Sequence, residues 1–254
     1  MVKKSLGQHW LMDNDILKNF AGSSSICKHD IVLEIGPGRG ALTHQLLTRC
    51  KYAGCKDIIL IEKDDDLISP LRTSFSECQI IHQDVLELSW DQFKLSGRRL
   101  LIYGSLPYNV SIKIIKNFIQ IHSYVKEVNL IVQKEVADRL VAHSGKSFGT
   151  LSIEMQLYFD IQILFYIPPS AFSPPPKVHS ALIKLIPREY PLVNEVENIS
   201  FLRKVSGTAF SYRRKMIRNT LKEFKGLPNL IDVSLRPEEV NLMEWIRLAN
   251  ALYL

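Results

Sequence analysis

The sequence predicts a doubly wound α/β domain, a mostly parallel sheet covered by helices, followed by a small all-α domain. Short runs rich in β-branched residues alternate with helical patterns between residues 31 and 186, and a glycine-rich turn, Gly36-Pro37-Gly38-Arg39-Gly40, directly follows the first run. Five-residue apolar strands separated by helices build βαβ units whose strands are buried on both faces. After Pro187-Arg188-Glu189-Tyr190-Pro191 the apolar spacing becomes helical, which marks a linker and an appended domain.

The elements follow in order. Ile31-Val32-Leu33-Glu34-Ile35 is a strand, and residues 41–48, with Ala41, Leu42, Gln45 and Leu46 and no breaker, suit a helix. Residues 58–62, 80–84, 100–103 and 128–132 form further strands, with helices near 65–75, 111–121 and 134–142. Residues 160–167 and 178–186 flank a proline-rich turn and predict a hairpin at one sheet edge. The expected domains are 1–186 and 187–254, the second holding three or four helices broken at Pro228 and Pro237.

Composition narrows the class. The 254 residues are 46% hydrophobic and 23% charged, ordinary globular values that exclude disordered and collagen-like chains. No apolar run reaches the roughly 18–20 residues of a membrane span, and the early residues are too polar for the apolar core of a signal peptide. The expectation is a soluble, cytoplasmic protein. Cys27, Cys50, Cys55 and Cys78 are too sparse for a disulfide scaffold. Cys50 and Cys55 bracket a helix-to-strand turn at Gly54 with no nearby His or Cys pair, so no metal site is expected.

The net charge is +6, and it is concentrated. Between Phe201 and Lys225 stand Arg203, Lys204, Arg213, Arg214, Lys215, Arg218, Lys222 and Lys225 against the single acid Glu223, which leaves the rest of the chain near neutral. Such a stripe suits a polyanion, nucleic acid before membrane, or else a solvated helix face. On a helix from 213 to 225, Arg214, Arg218, Lys222 and Lys225 align on one side, while Ile217, Leu221 and Phe224 face the domain interior.

Ligands of open α/β sheets bind at the carboxyl ends of the strands. The first strand ends in Gly36-Pro37-Gly38, where glycines let the backbone approach a ligand and the next helix offers free N–H groups. Gly36-x-Gly38-x-x-Ala41 also fits a dinucleotide fingerprint, so a hydride-transferring enzyme stays open at this point, although Pro37 removes an N–H that a pyrophosphate would use. Glu62 ends the second strand, where a carboxylate accepts both ribose hydroxyl hydrogens, and Asp84 ends the third, placed to accept from an adenine amine. Either acid alone reads as a helix cap. Together with the glycines they describe a pocket for S-adenosyl-L-methionine better than one for a dinucleotide.

The fourth strand ends in Gly104-Ser105-Leu106-Pro107-Tyr108-Asn109. With Leu6-Gly7-Gln8-His9-Trp10-Leu11, Glu34-Ile35-Gly36-Pro37-Gly38, Gln133-Lys134-Glu135-Val136, the 168–178 run Pro-Pro-Ser-Ala-Phe-Ser-Pro-Pro-Pro-Lys-Val, and Phe210-Ser211-Tyr212-Arg213-Arg214-Lys215 before Arg218-Asn219-Thr220-Leu221, the chain resembles, over nearly its full length, the rRNA adenine dimethyltransferases of small-subunit rRNA. The resemblance implies a Rossmann-like class I S-adenosylmethionine methyltransferase fold. It also implies dimethylation of the exocyclic amines of two adjacent adenosines near the rRNA 3′ end, in an immature 30S-type subunit and by a monomer. It places the cofactor against His9, Leu11, Gly36, Gly38, Glu62, Asp84 and Ser105, and the target adenine against Ser105, Leu106, Pro107, Tyr108 and Phe172. Arg213, Arg214, Lys215, Arg218 and Lys222 are the implied RNA contacts. Two positions depart from the family pattern: His9 and Ser105 each stand where Asn is usual.

The implied chemistry is physical in origin. Adenine's amine is a poor nucleophile because its lone pair is delocalised. The Ser105 side chain and the Leu106 carbonyl, held by Pro107, can accept its hydrogens and localise that pair, while Tyr108 and Phe172 flank an unstacked base. Serine accepts as asparagine does, on a shorter arm. A resistance-type methyltransferase of large-subunit rRNA and a non-catalytic rRNA-binding assembly factor are the competing expectations.

Overall fold

The computed structural model describes residues 9–93, 95–224 and 231–253. The expected elements at Leu6-Gly7-Gln8, Lys225 and Pro228 lie outside the described residues. Nine strands are described, β1 (Trp10–Leu11), β2 (Ile31–Ile35), β3 (Asp57–Glu62), β4 (Gln79–His82), β5 (Leu100–Ser105), β6 (Val125–Gln133), β7 (Phe159–Ile167), β8 (Phe172–Ser173) and β9 (Ser180–Pro187). The α-helices are α1 (Asn14–Ala21), α2 (Ala41–Ala53), α3 (Asp65–Ser74), α4 (Ser111–Asn117), α5 (Lys134–Val141), α6 (Thr150–Gln156), α7 (Ile199–Ser211), α8 (Ile217–Thr220) and α9 (Leu242–Tyr253). None is long and apolar enough to cross a membrane.

Seven strands form one sheet in the order β4-β3-β2-β5-β6-β9-β7. The pairs β2–β3, β3–β4, β2–β5 and β5–β6 are parallel, and β9 runs antiparallel to β6. All five residues of β2 are buried, which is why four of them are apolar with no polar alternation. The chain leaves β2 toward β3 and β4, then returns to β5 on the other flank of β2. This reversal of direction makes the β2–β5 boundary the topological switch point. α2 ends in a left-handed Gly54 (φ 70°), with the Cys55 N–H bonded to the Cys50 carbonyl at 2.9 Å. That is a Schellman turn, and it buries the Cys50 and Cys55 thiols in the core.

Two compact units emerge, one from the described residues of Met1–Ala137 and Gln162–Pro187, the other from those of Asp138–Ile161 and Arg188–Leu254. The expected 1–186 and 187–254 division is thus corrected for residues 138–161. Phe148, Ile153 and Leu157 belong to the second unit's core, with Leu202, Val205, Ala209 and the fully buried Trp245.

The expected helix over 213–225 is also corrected. Only Ile217–Thr220 is α-helical among its described residues. The Ile217 N–H bonds the Leu235 carbonyl at 2.8 Å and the Arg218 N–H bonds the Val233 carbonyl at 3.0 Å, so neither is available to a ladder reaching back to residues 213 and 214. The sidedness survives without the helix: Ile217 and Leu221 are fully buried, and Arg214, Lys215, Arg218 and Lys222 are exposed. The predicted helix over 111–121 stops at Asn117 and continues as a 3₁₀ turn from Phe118 to Tyr124.

Candidate active site

The loops leaving β2 and β5 diverge at the switch point and open a cavity of about 380 Å³, within the range of small-molecule sites. His9, Leu11, Gly36, Gly38, Glu62 and Asp84, assigned above to a cofactor, all line it. So do Ser105, Leu106, Pro107, Tyr108 and Phe172, assigned above to the base. The sequence reading missed several wall residues, among them Trp10, Glu34, Arg39 and Lys63.

The β2 loop forms the floor. Gly36 (φ 67°) and Gly38 (φ 58°) hold left-handed backbone, which other residues adopt only at a cost. A side chain at Gly36 would meet no protein atom within 4 Å, so the loop keeps backbone bare toward the cavity. Glu62 ties this loop down. Its Oε2 accepts from the Gly38 N–H at 3.2 Å, and its Oε1 accepts from the N–H groups of Lys63 and Asp64, both at 2.8 Å. Burial raises the Glu62 carboxyl above its ordinary range against the pull of those three donors. A carboxylate has about four acceptor positions, so a ribose diol competes chiefly with the long Gly38 bond. This donor and acceptor set fits a nucleoside cofactor: bare glycine backbone, a buried carboxylate at the end of β3, and an acid beyond β4.

Asp84 lies past the end of β4 and caps a 3₁₀ turn, its Oδ1 accepting from the Leu86 N–H at 2.9 Å. Its Oδ2 pairs with Lys63 Nζ at 2.6 Å. Burial raises the Asp84 carboxyl, but Lys63 and the Leu86 N–H outweigh it and leave the group below its ordinary value. Asp84 is therefore both a cap and an ionised acceptor at the cavity wall.

The opposite wall is a two-stranded ribbon. Trp10 pairs with Ser173 and Leu11 with Phe172, and the Met12 N–H reaches the Ala171 carbonyl at 2.8 Å. His9 Nδ1 stands 2.7 Å from the Pro174 carbonyl. A carbonyl only accepts, so Nδ1 is the donor of this bond. The His9 ring stacks on Tyr108, with centroids 5.5 Å apart and planes at 26°, a contact that asparagine could not make. The Tyr108 hydroxyl bonds Ser180 Oγ at 2.6 Å, which fixes the ring from β9. Phe172 is 5% exposed and joins the core cluster, so packing and cavity lining share one ring. Arg39 lies over Trp10, 3.8 Å from the ring centroid.

Ser105 ends β5, and its hydroxyl bonds no described residue. Leu106 is anchored by its N–H to the Ile131 carbonyl at 3.1 Å. At Gly104 a Cβ would stand 3.1 Å from the Ile35 carbonyl oxygen and from Leu106 Cδ2, so glycine lets the two strand ends approach at the switch point.

Glu34, on β2, is buried and accepts from Thr43 Oγ1 at 2.7 Å. Burial pushes its carboxyl up to about 8, the Thr43 hydroxyl lowers it and Glu62 raises it further. The folded state therefore binds this proton more tightly than the unfolded chain, whose ordinary value is 4.5. This group's contribution makes stability fall as pH rises from about 4.5 to about 8. Glu34→Gln is expected to raise Tm more at pH 9 than at pH 5, and equal shifts at both would refute the assignment.

Comparison with known proteins identifies relatives of the chain. The ribosomal RNA adenine dimethylase family matches residues 1–231. Ribosomal RNA small subunit methyltransferase A of Alcanivorax borkumensis is 36% identical over 256 residues, covering 98% of this chain and 89% of that protein. A dimethyladenosine transferase structure from Plasmodium falciparum superposes with TM-score 0.77 at 23% identity, covering 94% of this chain and 96% of that one. The 23S rRNA methyltransferase ErmE superposes with TM-score 0.73 at 20% identity, covering 96% of this chain and all of that one. Both superpositions speak to the fold. The family match and the near-full-length relative speak to descent, and on them the chain belongs to the ribosomal RNA adenine dimethylase family.

Proposed function

We propose that the protein uses S-adenosyl-L-methionine to dimethylate the exocyclic amines of two adjacent adenosines near the 3′ end of small-subunit rRNA, acting as a cytoplasmic monomer on an immature 30S-type subunit. The observation that carries this reading is the convergence of the strand-end residues on one cavity at the switch point. The 36% identical small subunit methyltransferase supports the choice of substrate. The first domain carries the chemistry and the C-terminal one contributes RNA contacts.

When bound, the cofactor supplies an activated methyl group. Glu62, Asp84 and the Gly36–Gly38 backbone would hold its nucleoside end. On the other side the unengaged Ser105 hydroxyl and the Leu106 carbonyl accept the amine hydrogens and localise the nitrogen lone pair. Pro107 restricts the backbone that carries that carbonyl. Tyr108, gripped by His9 and Ser180, offers a preset stacking face, and this positioning lowers the barrier. An aryl-ammonium product loses its proton readily, so no strong base is needed.

Incubating immature small subunits with labelled cofactor and mapping the rRNA by mass should place two methyl groups on each of two neighbouring adenosines. Binding without turnover would favour the assembly-factor reading that Ser105 invites, and label in large-subunit rRNA the resistance-type one. Ser105→Ala should slow transfer roughly 2- to 10-fold, the loss of one neutral hydrogen bond, with cofactor affinity nearly constant. Ser105→Asn should match or exceed the parent. An alanine variant as fast as the parent would remove Ser105 from the acceptor pair.

A further inference from the structure

Among the five residues expected to meet RNA, Arg213 behaves differently from the others. Its Nη2 donates to the Lys146 carbonyl at 2.8 Å and the Phe148 carbonyl at 2.9 Å. Its Nε stands 3.9 Å from a Glu238 carboxylate oxygen, and its guanidinium lies 5.6 Å from the Phe210 ring centroid. Nη2 is thus committed to the protein, although the side chain stays 41% exposed.

What they hold is the loop between α5 and α6. The Gly145 N–H reaches the Glu238 carbonyl at 2.6 Å, and the Phe148 N–H closes back onto the Gly145 carbonyl at 3.0 Å. Phe148 is fully buried, edge-on to Phe210 at 6.0 Å, and Gly145 takes the left-handed conformation (φ 80°) that the tight turn requires. Residues 145 to 148 are therefore pinned at both ends. Lys146 sits between the pins with its side chain exposed. Its carbonyl touches the Arg213 side chain, so it lies within one arginine's reach of the residue directly before the exposed Arg214 and Lys215. No acid occurs between residues 139 and 149, and the nearby Glu238 already faces Arg213.

We propose that the 145–148 loop is a second phosphate-contacting element of the RNA surface, with Lys146 as its contact and Arg213 as the positioning residue that holds it beside Arg214 and Lys215. The inference rests on the rRNA-substrate reading above. It reassigns Arg213 from contact to support. A cation on a pinned loop loses less conformational freedom on binding than one on a free loop, and two segments 67 residues apart in sequence then share one polyanionic partner.

The test measures affinity for immature small subunits between about 50 and 200 mM salt, where each phosphate contact contributes roughly one unit of log–log slope. Lys146→Gln should flatten the slope by about one unit, with Tm and cofactor affinity unchanged. Arg213→Gln should flatten it by the same amount and lower Tm, and Arg213→Lys should restore only part of both. The double variant Lys146→Gln/Arg213→Gln should be no flatter than Arg213→Gln alone, because the arginine acts through the loop. An unchanged slope for Lys146→Gln overturns the proposal, as does a double variant that loses two units, since Arg213 would then touch phosphate itself. A parent protein that binds no subunit overturns both readings, whereas a parent that binds and methylates while Lys146→Gln keeps its slope overturns this one alone.

Discussion

Gly40→Ala is expected to destabilise the protein by about 2–5 kcal/mol, the combined cost of a left-handed non-glycine residue and an overpacked core. Gly40 precedes α2 with φ 83°. A Cβ built there stands 2.2 Å from both Cε2 and Cζ of Phe75. That ring is 1% exposed and packs edge-on against His44 at 4.8 Å, and to make room it must leave that contact and shift toward the cavity it borders with Leu71 and Ser74. Gly97 is the control, because it has φ 80° with nothing within 4 Å of its Cβ position. Gly97→Ala should show only the conformational part, about 1–2 kcal/mol. Urea unfolding of both variants separates the two contributions, and equal losses would mean that Phe75 yields.

Glu62→Ala should weaken cofactor binding by about 1–3 kcal/mol, the cost of removing hydrogen bonds to a charged acceptor. The effect is twofold. The variant lacks the carboxylate that would take the ribose hydroxyls, and it also frees the N–H groups of Gly38, Lys63 and Asp64 that Glu62 now holds. The glycine loop then loses its tie to the start of α3, so stability should fall as well. Calorimetric titration with the cofactor measures the first effect and thermal unfolding the second, while subunit binding should stay near the parent value. Cofactor affinity within about twofold of the parent, well under 1 kcal/mol, would remove Glu62 from the binding set.

The strands were legible because a parallel sheet buries both faces, and Ile31-Val32-Leu33-Glu34-Ile35 shows that as an apolar run broken by one acid, which is turned to a hydroxyl partner. The cavity residues were legible because Gly36, Glu62 and Ser105 all stand at strand ends, which chain order alone places together. The segment after Tyr212 was not. Ile217, Leu221 and Phe224 keep helical spacing, and they are indeed turned inward, but the amides of Ile217 and Arg218 are claimed by Leu235 and Val233. Local periodicity carries no trace of partners that far along the chain. The same holds for Arg213 and the 145–148 loop, and for Ser180, which nothing in its neighbourhood marks as the partner of Tyr108.

The ribbon of β1 and β8 sets an order of events as the chain is made. His9 and Pro174, which it brings to 2.7 Å, are 165 residues apart, among the most distant partners in the molecule. Contacts of such separation carry the largest loop-closure cost and form late, and synthesis proceeds from the N-terminus. The glycine loop, β2, β3 and β5 can pair once Ser105 has emerged, yet His9 and Leu11 have nothing to dock on until residues 171–174 follow. A nascent chain ending before Phe172 thus possesses the floor of the pocket without its opposite wall. The pocket gains that wall only when about two thirds of the protein exists.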